Sequence, residues 1–323
     1  MNKAMTIPVK ISTFKRFAFI GSIMICSLVH TAQAQIGLGF GGTPEELASL
    51  ITGDGVQILN PQLVCADSAF GTFTATDIVN FQNSQGLILS TGNIIDALGP
   101  NLSETTTSQW NTPGDADLNV ISNGISFDAC VFEFDIVPAG DTLRFDFTFA
   151  SEEYEEYVGT VFNDVFGFFI SGPGIVGDPG LNGAENIALI PVTGVPVGIN
   201  TVNNGNPDIG FAPVNPEFFY ANPLSFGTEI QYDGWTQGLV AQRSVTPCDT
   251  FHLKLAIADV GDRQWDSSVF IEEIRSNDVR LTSITAGGIE NMVEGCNEGT
   301  VIFSRMPVTD EDLEVLYFIG GTA

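Results

Sequence analysis

The residues best placed to do chemistry are acids gathered in two short segments. Glu152 and Glu153 follow the apolar run Phe147-Thr148-Phe149-Ala150, and Asp164 opens the next such run. Asp259, Asp262 and Asp266 trail a third run, with Gly261 allowing a tight turn among them. Calcium takes six to eight oxygens from carboxylates, carbonyls and water, which loops of this kind can supply. If the two segments lie on neighbouring strands, their loops would share one Ca2+ ion. The competing reading is that Glu152 and Asp164 accept hydrogen bonds from loop N–H groups while the other acids face water. Neither spacing is that of an EF-hand. Asp115-Ala116-Asp117, in a Gly- and Asn-rich connection, is a third acidic pair whose ordinary role would be to make a turn.

Paired carboxylates also serve glycosidases, where Glu152, Glu153 or Asp164 would act as acid, base or nucleophile. Rings suited to stacking on a sugar are Tyr154, Tyr157, Tyr232, Trp235 and Trp265. Tyr232-Asp233-Gly234-Trp235 combines an acid, a turn and two amphipathic rings, and is the preferred sugar contact. Nucleophilic catalysis has little to build on: beyond the first 34 residues there is one histidine, His252, on the polar face of a strand beside Lys254. Gly37-x-Gly39-x-Gly41 does not follow a strand, so it is no nucleotide loop.

The elements that must position these groups are strands. Apolar and polar residues alternate over 131–137, 143–149 and 251–257, the period of half-buried strands in a sandwich with a wet outer face. The segment 43–51 reads as the one helix, with Thr43 as cap, Pro44 at the first position and acids in the first turn. The Gly-, Pro- and Asn-rich stretch 171–216 should be long loops around short strands. Near residue 277 the pattern resets, and 279–284 looks like the opening strand of a new module. The ending at Gly320-Gly321-Thr322-Ala323 leaves that module half built, so more chain or a strand from elsewhere is expected to complete it.

Residues 1–34 have the pattern of a secretory leader: Lys3, Lys10, Lys15 and Arg16, then the apolar run 17–29, then Ala32-Gln33-Ala34 as cleavage signal. Cleavage after Ala34 is preferred over lipidation at Cys26, whose preceding residue, Ile25, is too large for a lipidation site. No later apolar run is long enough to span a bilayer, so no transmembrane helix is expected in the mature protein. Loss of the leader leaves seven of the eleven Lys and Arg against 39 Asp and Glu, and moves the formal charge from −28 to about −32. Such a surface repels phosphate backbones and anionic lipid, which argues against nucleic acid and direct membrane insertion. Four cysteines remain, Cys65, Cys130, Cys248 and Cys296, spaced as disulfide formers rather than zinc ligands. Three pairings are open, and Cys65 with Cys130 is favoured.

Three blocks go further. They are Gly86-Leu87-Ile88-Leu89-Ser90-Thr91-Gly92, then residues 147–158 (FTFASEEYEEYV), then residues 162–174 (FNDVFGFFISGPG). With Asn186-Ile187-Ala188-Leu189-Ile190 and Leu255-Ala256-Ile257-Ala258-Asp259, they resemble, in the same order, the choice-of-anchor L domain, over roughly residues 45–275. The resemblance implies an exported protein of the type found in Bacteroidetes. The tail, with Val293-Glu294-Gly295, then 301–305 and 313–323, is similar to the beginning of a Calx-beta repeat. Of that repeat's acidic calcium residues, Glu294 alone could be transferred.

The expected molecule is therefore all-β: a leader at 1–34, a jelly-roll-like β-sandwich at 35–278, and a partial immunoglobulin-like (Calx-beta) sandwich at 279–323. Its expected role is adhesion or binding at the outer cell surface or outside the cell, without catalysis, with calcium as cofactor and a surface glycan or protein as partner. A carbohydrate-binding module is the alternative, and a glycosidase the third choice.

Overall fold

The computed structural model describes residues 35–78, 80–224, 229–276, 278–285 and 299–306. The leader, Glu294 and Cys296 lie outside the described residues. Two antiparallel sheets stack face to face. The first contains, in spatial order, β1 (Gln35–Phe40), β3 (Phe70–Thr76), β4 (Gln85–Ser90), β14 (Ser267–Ser276), β6 (Thr142–Ser151), β11 (Gly234–Thr236) and β10 (Phe219–Ala221), with β12 (Leu239–Ser244) also pairing with β6. The second runs β2 (Val56–Val64), β5 (Ser126–Pro138), β13 (Phe251–Val260), β7 (Val165–Ser171) and β8 (Glu185–Asn186), with β9 (Val197–Gly198) on β7. The expected all-β sandwich is thus the fold. Beyond it, β15 (Asp278–Thr285) and β16 (Gly299–Met306) form an antiparallel pair.

The sheets adhere through phenylalanines placed by the two-residue period. Phe145, Phe147 and Phe149 of β6 point inward and meet Phe166 and Phe168 of β7, with ring centroids 4.8 Å apart for Phe145–Phe168 and 5.3 Å for Phe147–Phe166. Fully burying such a side chain contributes about 1.5–3 kcal/mol. β5 alternates buried and half-buried residues, as expected for a strand with one wet face. The first sheet departs from that expectation. Its outer face carries a second core of Phe73, Phe81, Ile230, Tyr232, Trp235 and Phe270, so its central strands are covered on both sides.

The predicted helix is α1 (Pro44–Ile51), closed by a capping box in which the Thr43 hydroxyl accepts from the Glu46 N–H and the Glu46 carboxylate accepts from the Thr43 N–H. A second helix, α2 (Ala116–Ser122), was not anticipated. Asp115 is its N-cap, and both Asp115 and Asp117 pair with Lys254 on β13. Register explains the disulfide: Val64 lies opposite Val131 on β2 and β5, which brings the next residue, Cys65, against Cys130, and the two are bonded. Cys248 is exposed and has no disulfide partner among the described residues.

Candidate functional site

Several passages of the chain from one sheet to the other lie at one end of the sandwich, and two of them carry the acids. Residues 152–164 lead from β6 to β7, and residues 261–266 lead from β13 to β14. Because Ser151 pairs with Ser267 in the first sheet and Val165 with Ala258 in the second, the two crossovers run side by side. The condition for shared loops is met, and Gly261, at φ +103°, makes the second crossover tight. Of the six acids singled out, Glu152, Glu153, Asp164, Asp259 and Asp266 are buried, with exposures of 0–1%.

They separate into two centres. In the first, Asp164 accepts a hydrogen bond from the Val260 N–H at 2.9 Å and another from the Ser267 hydroxyl at 2.7 Å. Glu153 reaches the Asp164 N–H at 3.4 Å. Neither oxygen of Asp259 has a well-formed hydrogen-bond partner, although the Asp164 carboxyl and the Thr91 hydroxyl stand close to it. Burial pushes the Asp164 carboxyl up to about 7. Burial, then the negative charge of Asp164, raises Glu153 and Asp259 well above the usual carboxylate range. The Tyr154 hydroxyl, also fully buried, feels the charges of Glu153 and Asp164 and has no hydrogen-bond partner.

In the second centre nearly every carboxylate oxygen meets a donor. Asp266 takes the Ser108 N–H on both oxygens, at 3.1 and 2.9 Å, and the Thr107 hydroxyl at 3.3 Å. Glu152 takes the Gln231 amide at 3.1 Å and the Thr106 N–H at 3.4 Å. Asp233 takes the Asn101 amide at 2.6 Å on one oxygen, while its other oxygen is unpartnered. Burial raises all three, to about 9 for Glu152, about 8 for Asp266 and about 7 for Asp233. This centre matches the loop-ordering alternative. Gly92 is needed beside it, since a Cβ there would lie 1.7 Å from an Asp266 oxygen.

Asp262 joins neither set of buried hydrogen bonds; its carboxylate accepts from the Gln264 N–H at 2.9 Å and shapes the turn. The preferred sugar contact is overturned. Tyr232 and Trp235 have no exposure and Asp233 has 6%, because β11 sits between β6 and β10 beneath the outer core. Tyr154 is sealed as well. Tyr157 and Trp265 remain partly exposed, with ring centroids 4.4 Å apart and planes tilted by 33°. His252 lies beside Asp135 at 3.1 Å, as a surface pair. Residues that sequence reasoning did not single out are Thr91, Asn101, Thr106, Thr107, Ser108, Gln231 and Ser267. For Thr91 the signal was present in Ser90-Thr91-Gly92, a small polar run closing an apolar strand. Among the described residues no group of three or more His, Cys, Asp or Glu side chains is disposed as a ready-made metal cluster.

Fold and site together define an antiparallel β-sandwich domain whose acids are built into its crossovers. A family model of the choice-of-anchor L domain matches residues 41–276, almost the whole sandwich, and the chain belongs to that family. Membership makes it an exported, surface-associated protein. No described helix is long and apolar enough to cross a membrane. Searches of curated proteins and of solved structures found no match.

Proposed function

We propose that this chain is a non-catalytic binding module of the outer cell surface, which attaches through a surface glycan or protein ligand. The observation that carries the reading is the contrast between sealed acids and accessible rings. A glycosidase needs two carboxyl groups that reach the sugar from opposite sides. Glu152, Glu153 and Asp164 are at most 1% exposed. Tyr157 and Trp265, in contrast, present a tilted aromatic pair at the surface of the two crossovers. Trp265 is held at φ +60°, a conformation that costs a bulky residue about 1–3 kcal/mol and that recurs at ligand-binding positions. Residues 279–323, in the same reading, begin a Calx-beta-like unit that follows the binding domain.

The test is glycan-array and cell-attachment binding by the protein and by Tyr157→Ala. The expected result is retained folding with binding weakened about tenfold, the scale of one lost aromatic contact. Release of reducing sugar from any bound glycan, abolished by Glu152→Gln, would overturn the non-catalytic reading in favour of the glycosidase.

A further inference from the structure

Asp164 closes one crossover and Asp259 lies near the end of β13, just before the other, and among the described residues no basic side chain pairs with either. Both are buried, with exposures of 0% and 1%. A buried carboxylate without compensation costs several kcal/mol, and a fold does not place two together without something between them. The Asp259 carboxylate has no well-formed hydrogen bond on either oxygen, and the buried Tyr154 hydroxyl is likewise unpartnered.

We propose that a single calcium ion binds between Asp164 and Asp259 and clamps the two crossovers that join the sheets. Two carboxylates neutralise a dication. Each oxygen of Asp164 accepts one hydrogen bond, from Val260 or from Ser267, and retains a lone pair for the ion, while neither oxygen of Asp259 is committed to a well-formed hydrogen bond. The hydroxyls of Thr91 and Ser267 supply neutral oxygens beside them. An all-oxygen set selects a hard cation over zinc or copper. Burial favours calcium over magnesium, which gives up its waters reluctantly. The site is independent of what the outer surface binds. The rival occupant is a proton shared by the two carboxyl groups.

The protein stripped with EDTA is melted alone, with millimolar calcium and with millimolar magnesium, and its metal content as purified is measured. Calcium is expected to raise the midpoint by about 5 °C or more, and magnesium by less. Asp259→Asn is expected to remove the calcium response. If that variant fails to fold, terbium added to the stripped wild-type protein provides the second reading: tyrosine-sensitised luminescence that calcium displaces supports the site. A shared proton gives the opposite pattern: no response to either cation, no bound metal, no sensitised terbium, and Asp259→Asn at least as stable as the parent. That pattern would overturn the proposal. Loss of glycan or cell binding plays no part in the readout, so the two proposals fail separately.

Discussion

The two acidic centres lie at one end of the same sandwich, are buried to the same degree, and differ in what faces their oxygens. Around Glu152 and Asp266 the segment 106–108 supplies N–H and hydroxyl donors and Gln231 an amide, and Asn101 supplies an amide to Asp233. Around Asp259 the chain supplies no well-formed donor at all. A carboxyl group that gathers several donors has part of its desolvation offset by the chain itself and orders a loop in return. A pair in which one member, Asp259, has no well-formed donor on either oxygen is left to be balanced by something that is not part of the chain. Equal burial therefore conceals opposite roles: one centre is complete as folded, and the other calls for a ligand.

Truncation would break this comparison most sharply. Asp266→Ala empties a fully buried position and takes away the acceptor of the Ser108 N–H and the Thr107 hydroxyl, and is expected to destabilise the protein by about 2 kcal/mol, in EDTA and in calcium alike. Denaturant melts in both media measure it. A loss that calcium repairs would assign Asp266 to the cation site instead. An effect of similar size is expected from the opposite wall. Gly92→Ala places a methyl group against the Asp266 carboxylate and should cost about 1–3 kcal/mol through overpacking, with the calcium response intact. An unchanged melt would mean that the Asp266 side chain moves aside freely and that its hydrogen bonds order little.

How much of this the sequence disclosed depends on the element. The period of two in 131–137, 143–149 and 251–257 located β5, β6 and β13, because each has one face on the core and alternation follows directly from that. The cap of α1 was legible because Thr43, Pro44 and Glu46 act within one turn. α2 was missed since its seven residues carry little periodicity, and Asp115 reads equally well as a turn former. Tyr232 and Trp235 were misplaced for a physical reason: amphipathic rings beside Asp and Gly resemble a surface loop, and only the outer core on the first sheet, a long-range feature, buries them. The convergence of Asp164 with Asp259 was legible as a condition, that their strands be neighbours. The strand order that meets the condition rests on pairings between residues about a hundred positions apart, which no local pattern encodes.

The mildest test is pH, and it sharpens the contrast without altering the chain. Folding raises Glu152 to about 9, Asp266 to about 8 and Asp233 to about 7, chiefly by burial. The folded protein therefore holds protons that the unfolded chain, with ordinary carboxylates, has released. This contribution to stability is fully present below pH about 4 and is lost as pH rises through 7 to 9. In EDTA the melting temperature is expected to fall by about 5 °C or more between pH 5 and pH 9. Asp266→Asn, which keeps the shape and removes one titrating group, should flatten the decline. A melting temperature that rises over that interval would mean the donors around this centre hold its acids ionised, so that hydrogen bonding outweighs burial there.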